Sequence, residues 1–151
     1  MTQEDKEPID NIMYAAACGI KNTKIITEEE KQLLLKDICA RLPYGVKVKS
    51  SRRQIVVTLS LDIMTDFHLG CTVKPYLRPL SSMTEEEKEY IKNRWCYEDW
   101  DDIYDFLNHY KIDAGDTYAF TDWLNEHHFD YRGLIRKGLA LEAPEDMYKI
   151  D

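Results

Sequence analysis

The spacing of apolar residues along this chain changes period twice. It is helical from Thr27, where Thr27-Glu28-Glu29-Glu30 forms a capping box. In such a box the threonine hydroxyl accepts an orphan backbone N–H and the third glutamate reaches back to the cap. Leu34, Leu35, Ile38 and Leu42 follow as an apolar stripe, and Pro43-Tyr44-Gly45 ends the helix. The period then drops to two. Val46 and Val48 alternate with Lys47 and Lys49, and Ile55, Val57, Leu59 and Leu61 alternate with Val56, Thr58 and Ser60. Phe67, Leu69, Cys71 and Val73 alternate with His68, Gly70 and Thr72. Broken by Ser50–Arg53 and by a turn near Thr65-Asp66, these runs predict an antiparallel meander with one buried face. So small a sheet must close into an SH3-like barrel or lie against a helix. Lys74–Pro79, with prolines at 75 and 79, reads as a stiff connector rather than a central strand.

Helical spacing returns after Ser82. Thr84 and Glu85-Glu86-Glu87 open a helix whose inner face carries Met83, Tyr90, Ile91 and Trp95. A helix over 99–110 turns Trp100, Ile103, Phe106, Leu107 and Tyr110 inward and Glu98, Asp101, Asp102 and Asp105 outward. Another, over 118–127, buries Phe120, Trp123 and Leu124. Gly133 and Gly138 bound a short turn, and Pro144 makes the tail irregular. Ahead of all this, residues 9–20 predict a short helix with Ile9, Ile12, Met13 and Ala16 on one face. The expected fold is therefore α+β: an N-terminal helix, a small antiparallel sheet or SH3-like barrel, and a helical C-terminal part. The expected organisation is an arm and short helix over 1–26, helix and sheet over 27–80, and an acidic helical part over 81–151 packed with 27–80 as one unit.

Composition adds a compartment and a charge split. At 151 residues the chain buries enough surface to fold with neither disulfide nor metal. Cys18, Cys39, Cys71 and Cys96 lie far apart with no C-x-x-C spacing, which predicts four free thiols in a reducing compartment. Ala15-Ala16-Ala17-Cys18 imitates a lipoprotein cleavage run, but Thr2–Asp10 is acidic and Asp10 and Asn11 interrupt the apolar stretch, so a cytoplasmic protein is expected. No apolar run approaches the roughly 18–20 residues of a membrane span. The formal net charge of −8 repels phosphate backbones and anionic membranes, making nucleic acid a disfavoured partner. The charge is uneven: net +2 over residues 1–80 and net −10 over 81–151.

No motif for catalysis is legible. Phosphate-cradling glycine loops, G-x-S-x-G and H-E-x-x-H are all missing from the sequence. Glu126-His127-His128, near Asp122 and Asp130, is the closest approach to a metal cluster. Adjacent histidines cannot converge on one ion from a regular helix, and a helix-end pair suits the helix dipole. His68 and Cys71, three apart on a strand, face opposite sides and cannot pair. The expectation is a non-enzymatic chain with no cofactor.

Two surfaces remain. Residues 85–126 hold 13 Asp and Glu, 4 Lys and Arg, and 10 aromatics. Most of the aromatics are core by spacing, leaving Tyr97, Tyr104 and Tyr118 for an interface beside Glu98, Asp101, Asp102 and Asp105. Such a face attracts basic partners or imitates a phosphate backbone. The opposing patch is Arg41, Lys47, Lys49, Arg52 and Arg53, the alternative surface, which suits nucleic acid by charge but lacks a recognition helix and stacking aromatics.

Two long stretches carry a resemblance. The first is Leu33-Leu34-Leu35-Lys36-Asp37-Ile38-Cys39-Ala40-Arg41-Leu42-Pro43-Tyr44-Gly45-Val46. The second opens with Val73–Glu87 (VKPYLRPLSSMTEEE), resumes at Asp122–Ile135 (DWLNEHHFDYRGLI) and closes on Lys137–Pro144 (KGLALEAP). Together they resemble an uncharacterised family of phages, prophages and mobile elements of gut Bacteroidales, over about residues 31–149. The resemblance implies a cytoplasmic bacterial setting and carries no activity. Small non-enzymatic proteins of such settings bind host or phage macromolecules, an analogy that points to a protein-binding accessory role. The alternatives are an acidic nucleic-acid mimic that occupies a nucleic-acid-binding protein, and a nucleic-acid binder acting through residues 41–53.

Overall fold

A computed structural model describes residues 25–95 and 114–149. The helices expected over 9–20 and 99–110, and Cys18 and Cys96, lie outside the described residues.

Helix α1, Glu28–Arg41, begins at the expected capping box: Glu30 N–H donates to Thr27 Oγ1 at 3.1 Å, and Thr27 N–H donates to Glu30 Oε2 at 3.0 Å. Its buried face is Leu34, Asp37, Ile38 and Arg41, a stripe at i, i+3, i+4 and i+7 that includes two charged residues. A tight turn over Leu42–Tyr44 ends at Gly45, whose φ of 68° lies in the left-handed region that glycine tolerates.

Strands β1 (Lys47–Ser50) and β2 (Val56–Thr58) pair antiparallel, as the alternation predicts. The third predicted strand, over Phe67–Val73, is absent, and the turn expected near Thr65-Asp66 lies within helix α2, Leu61–His68, which buries Ile63 and Phe67, one helical turn apart. Four apolar residues at i, i+2, i+4 and i+6 fit a strand, yet Ile63, Met64 and Phe67 equally satisfy a helical face, and that face fits the core. The next strand is β3, Val73–Leu77, which but for Val73 lies inside the stretch expected to be a connector. It lies centrally in the order β2-β1-β3-β4, where β4 is Leu141–Glu142. β3 runs antiparallel to β1 and parallel to β4, so the sheet is mixed and open-edged rather than a closed barrel.

Pro75 is accommodated by register. Ser51 N–H donates to Thr72 C=O, so hydrogen-bonded pairs between β1 and β3 fall at Ser51/Thr72 and Lys49/Lys74. Pro75, opposite Val48, is a non-hydrogen-bonded position toward β1, and the donor that it lacks faces β4, where pairing starts only at Tyr76.

Helices α3 (Glu85–Trp95) and α4 (Ala114–Glu126) follow, with Ile91, Trp95, Phe120, Trp123 and Leu124 buried between them. Trp95 meets Phe120 edge to face at 4.9 Å. Tyr90, expected on the inner face, is half exposed and stacks on Trp123. The segment after α4 is not helical but returns to the sheet. Phe129 bridges Arg78, Leu134 and Leu139 enter the core beneath β1 and β3, and β4 completes the sheet. Among the described residues the architecture is α+β, with four α-helices and four strands.

Candidate interaction surface

The sheet has two unlike faces. Val48 and Ser50 of β1 and Val73, Pro75 and Leu77 of β3 are buried. By the two-residue period, Lys47 and Lys49, Val56 and Thr58, and Lys74 and Tyr76 stand on the opposite face. Register sets Lys49 directly across from Lys74 on one side and Val56 on the other. Lys47 Nζ donates to Thr58 Oγ1 at 2.7 Å, while Lys49 and Lys74 have no ion-pair partner among the described residues. Like charges directly opposed in a sheet oppose folding. This face thus concentrates positive charge that no described carboxylate pairs with, on rigid elements.

The turn beside it is organised by Asp66 of α2, whose side chain is buried. Arg53 Nε reaches Asp66 Oδ2 at 2.9 Å, Arg52 Nη1 approaches Oδ1 at 3.4 Å, and Ser50 Oγ donates to Oδ2 at 3.0 Å. Burial works against charge on this carboxyl, but the hydrogen bonds from Arg53 and Ser50 and the two guanidinium charges outweigh it and hold its pKa below the ordinary value.

Arg41 does not belong to that surface. Its side chain and that of Asp37 are both 0 % exposed, joined by Nε to Oδ2 at 2.8 Å and Nη2 to Oδ1 at 3.1 Å. Arg41 Nη2 also donates to Phe129 C=O at 2.6 Å. Arg132 Nε stands 3.4 Å from Asp37 Oδ1, off the hydrogen-bond direction. Tyr131 receives Arg132 Nη2 on its hydroxyl, donates to Asn125 Oδ1 at 2.9 Å, and offers its ring to both guanidinium groups. This buried network ties α1 to the segment after α4. A charged residue one turn from another on a helix reads as a surface pair, whereas the Phe129 carbonyl, far along the chain, draws this pair inward.

A second tie supports the sheet from the C-terminal segment. The β1/β3 register carries Lys47 across from Tyr76. Tyr148 inserts its hydroxyl between Lys47 N–H, from which it accepts at 2.9 Å, and Tyr76 C=O, to which it donates at 2.7 Å. His128, in the left-handed region at φ 63°, stacks on the Tyr148 ring at 3.8 Å. Burial, then the nearby charges led by Arg41, pushes the His128 pKa down to about 4. His127 turns elsewhere, stacking on Trp123 with Nδ1 2.8 Å from the Trp123 carbonyl. The two histidines therefore diverge. Among the described residues no group of three or more His, Cys, Asp or Glu is placed to hold a metal ion. His68 is exposed and Cys71 buried. Cys39 is an exposed free thiol.

Of the predicted surface residues, the structure brings Lys47 and Lys49 together on the sheet, sets Arg52 and Arg53 on the adjoining turn, and removes Arg41 to the core. Tyr97, Glu98, Asp101, Asp102, Tyr104 and Asp105 lie outside the described residues. Lys74 and Tyr76 escaped the sequence reading. Their signal was the alternation Val73, Pro75, Leu77 against Lys74 and Tyr76, discounted because of the proline. Among the described residues no helix is long and apolar enough to cross a membrane. No protein-family model, curated protein or solved structure matches the chain.

Proposed function

We propose that this chain is a non-enzymatic binding protein of the bacterial cytoplasm, and that the outer face of its sheet engages an acidic protein partner. The observation that carries this reading is the direct opposition of Lys49 and Lys74 with no counter-ion among the described residues. Such a pair costs stability and lies on a rigid sheet, where a partner's carboxylates complete it. Tyr76, half-buried on the same face, adds the kind of side chain enriched in interfaces.

The basic face competes for nucleic acid only weakly. Arg41 is buried, Arg52 and Arg53 are engaged by Asp66, and the whole chain carries −8. Few free cations remain to release counter-ions from a phosphate backbone. The nucleic-acid-mimic reading rests on carboxylates outside the described residues and gains no geometric support. A photo-crosslinking phenylalanine analogue at Tyr76, in bacterial cells making the full chain, tests the choice. The expected result is a protein adduct that survives nuclease and disappears with Lys49→Glu and Lys74→Glu. A nuclease-sensitive adduct, or none, contradicts the reading.

A further inference from the structure

Among the described residues the outer edge of β2 is unpaired, which the lysine face alone does not explain. Leu59 N–H donates to Val46 C=O, and Val48 and Val57 are opposed in the β1/β2 register. Alternation then turns the backbone groups of Val57 and Leu59 toward β1 and those of Val56 and Thr58 away from it. These outward N–H and C=O groups have no partner among the described residues. Around them, Ile55 is 63 %, Val56 47 % and Leu61 75 % exposed. Natural sheets cover or interrupt such edges, because an open edge with exposed apolar side chains templates another strand.

Resting on the reading that the outer sheet face is the recognition surface, we propose that β2 accepts an extended, acidic segment of a partner protein by strand addition. The partner's backbone pairs with Val56 and Thr58, and its apolar side chains pack on the exposed ones at this edge. Charge selects the occupant. An outer-face carboxylate on an added strand lies about two strand spacings, ~10 Å, from the Lys47 and Lys49 backbone. Glutamate and lysine side chains together close that gap. A second copy of this chain paired through the same edge presents Val56 and Thr58 there, with further lysines behind them and no carboxylate among the paired residues of β1, β2 and β3.

The test uses the full chain and a blocked hexapeptide of alternating glutamate and valine. Amide exchange at Val56 and Thr58 should slow at least about tenfold at saturation, because main-chain hydrogen bonds supply the affinity in strand addition. Val56→Pro should weaken the peptide at least about tenfold, since its N–H faces the free edge and its loss breaks no bond inside the sheet. The same peptide with every amide N-methylated should weaken as much against the wild-type chain, a control independent of how the proline variant folds. If Lys49→Glu with Lys74→Glu abolishes binding while Val56→Pro and the N-methylated peptide bind as before, the face reading stands and strand addition is overturned. If the wild-type chain does not bind the peptide, or binding ignores both the lysines and the edge, both readings fall. Protection of Val56 and Thr58 by dimerisation at high concentration, without peptide, assigns the edge to a second copy and overturns the acidic occupant.

Discussion

Replacing Arg41 with methionine removes a guanidinium that is 0 % exposed and makes three hydrogen bonds, two to Asp37 and one to the Phe129 carbonyl. The methionine keeps most of the volume, so cavity formation is a minor cost. Asp37 remains buried with only the off-axis Arg132 contact at 3.4 Å. Breaking a buried pair by removing one partner costs about 3–5 kcal/mol, because the other charge is left uncompensated. The orphaned Phe129 carbonyl belongs to the same loss, as the central bond between α1 and the segment that reaches the sheet. A domain of this size has about 5–15 kcal/mol of stability, so about a fifth or more is at stake. At roughly 2–4 °C per kcal/mol, Tm should fall by about 6–20 °C. Arg41→Met with Asp37→Leu should recover part of the loss, since no charge is then stranded. Urea unfolding of wild type, both single variants and the double variant measures the coupling. A loss below about 1 kcal/mol for Arg41→Met, with unchanged m-value, refutes the buried role and returns Arg41 to the surface.

Tyr148→Phe should cost about 1–3 kcal/mol in urea unfolding, because Lys47 N–H and Tyr76 C=O lose the hydroxyl that joins them; a cost near zero means that water replaces it freely. His128, with its pKa down to about 4 when folded, binds its proton less readily than in the unfolded chain. Its contribution is therefore fully present above about pH 6.5 and is lost as pH falls from there toward 4. His128→Asn, a residue that tolerates the left-handed backbone, should flatten stability against pH across that window; an unchanged slope removes His128 as the source. Gly45→Ala should cost about 1 kcal/mol from the positive φ alone, since an added Cβ meets Thr58 Cγ2 only at an ordinary 3.9 Å; a loss well beyond that implies a steric clash.

Local signals were legible wherever neighbouring residues decide the structure. Thr27 and Glu30 cap α1 by their own spacing, and Phe120, Trp123 and Leu124 are buried as their helical period requires. Misreadings arose where distant partners decide. Phe67 fits both periods, and the Asp66 carboxylate, gathered by Ser50, Arg52 and Arg53, is one of the contacts that hold its helix against the sheet. Pro75 argues against a central strand until the register is known, because only the register says which neighbour meets the missing donor. Of the basic surface, Lys47 and Lys49 follow from alternation beside buried valines. Arg41 was misplaced because its carbonyl partner comes from Phe129, and Lys74 and Tyr76 were lost with the strand that carries them.

Lys49→Glu separates the cost of the lysine pair from its use. Facing Lys74 across the β1/β3 register, a glutamate replaces a like-charge pair with an opposite-charge one. It should leave the fold more stable by about 0.2–1 kcal/mol in urea unfolding at low salt. Affinity for the protein crosslinked through Tyr76 should fall at least about tenfold under the same conditions, and the difference should shrink as salt shortens the Debye length. Higher stability with undiminished affinity contradicts the assignment of this face to recognition.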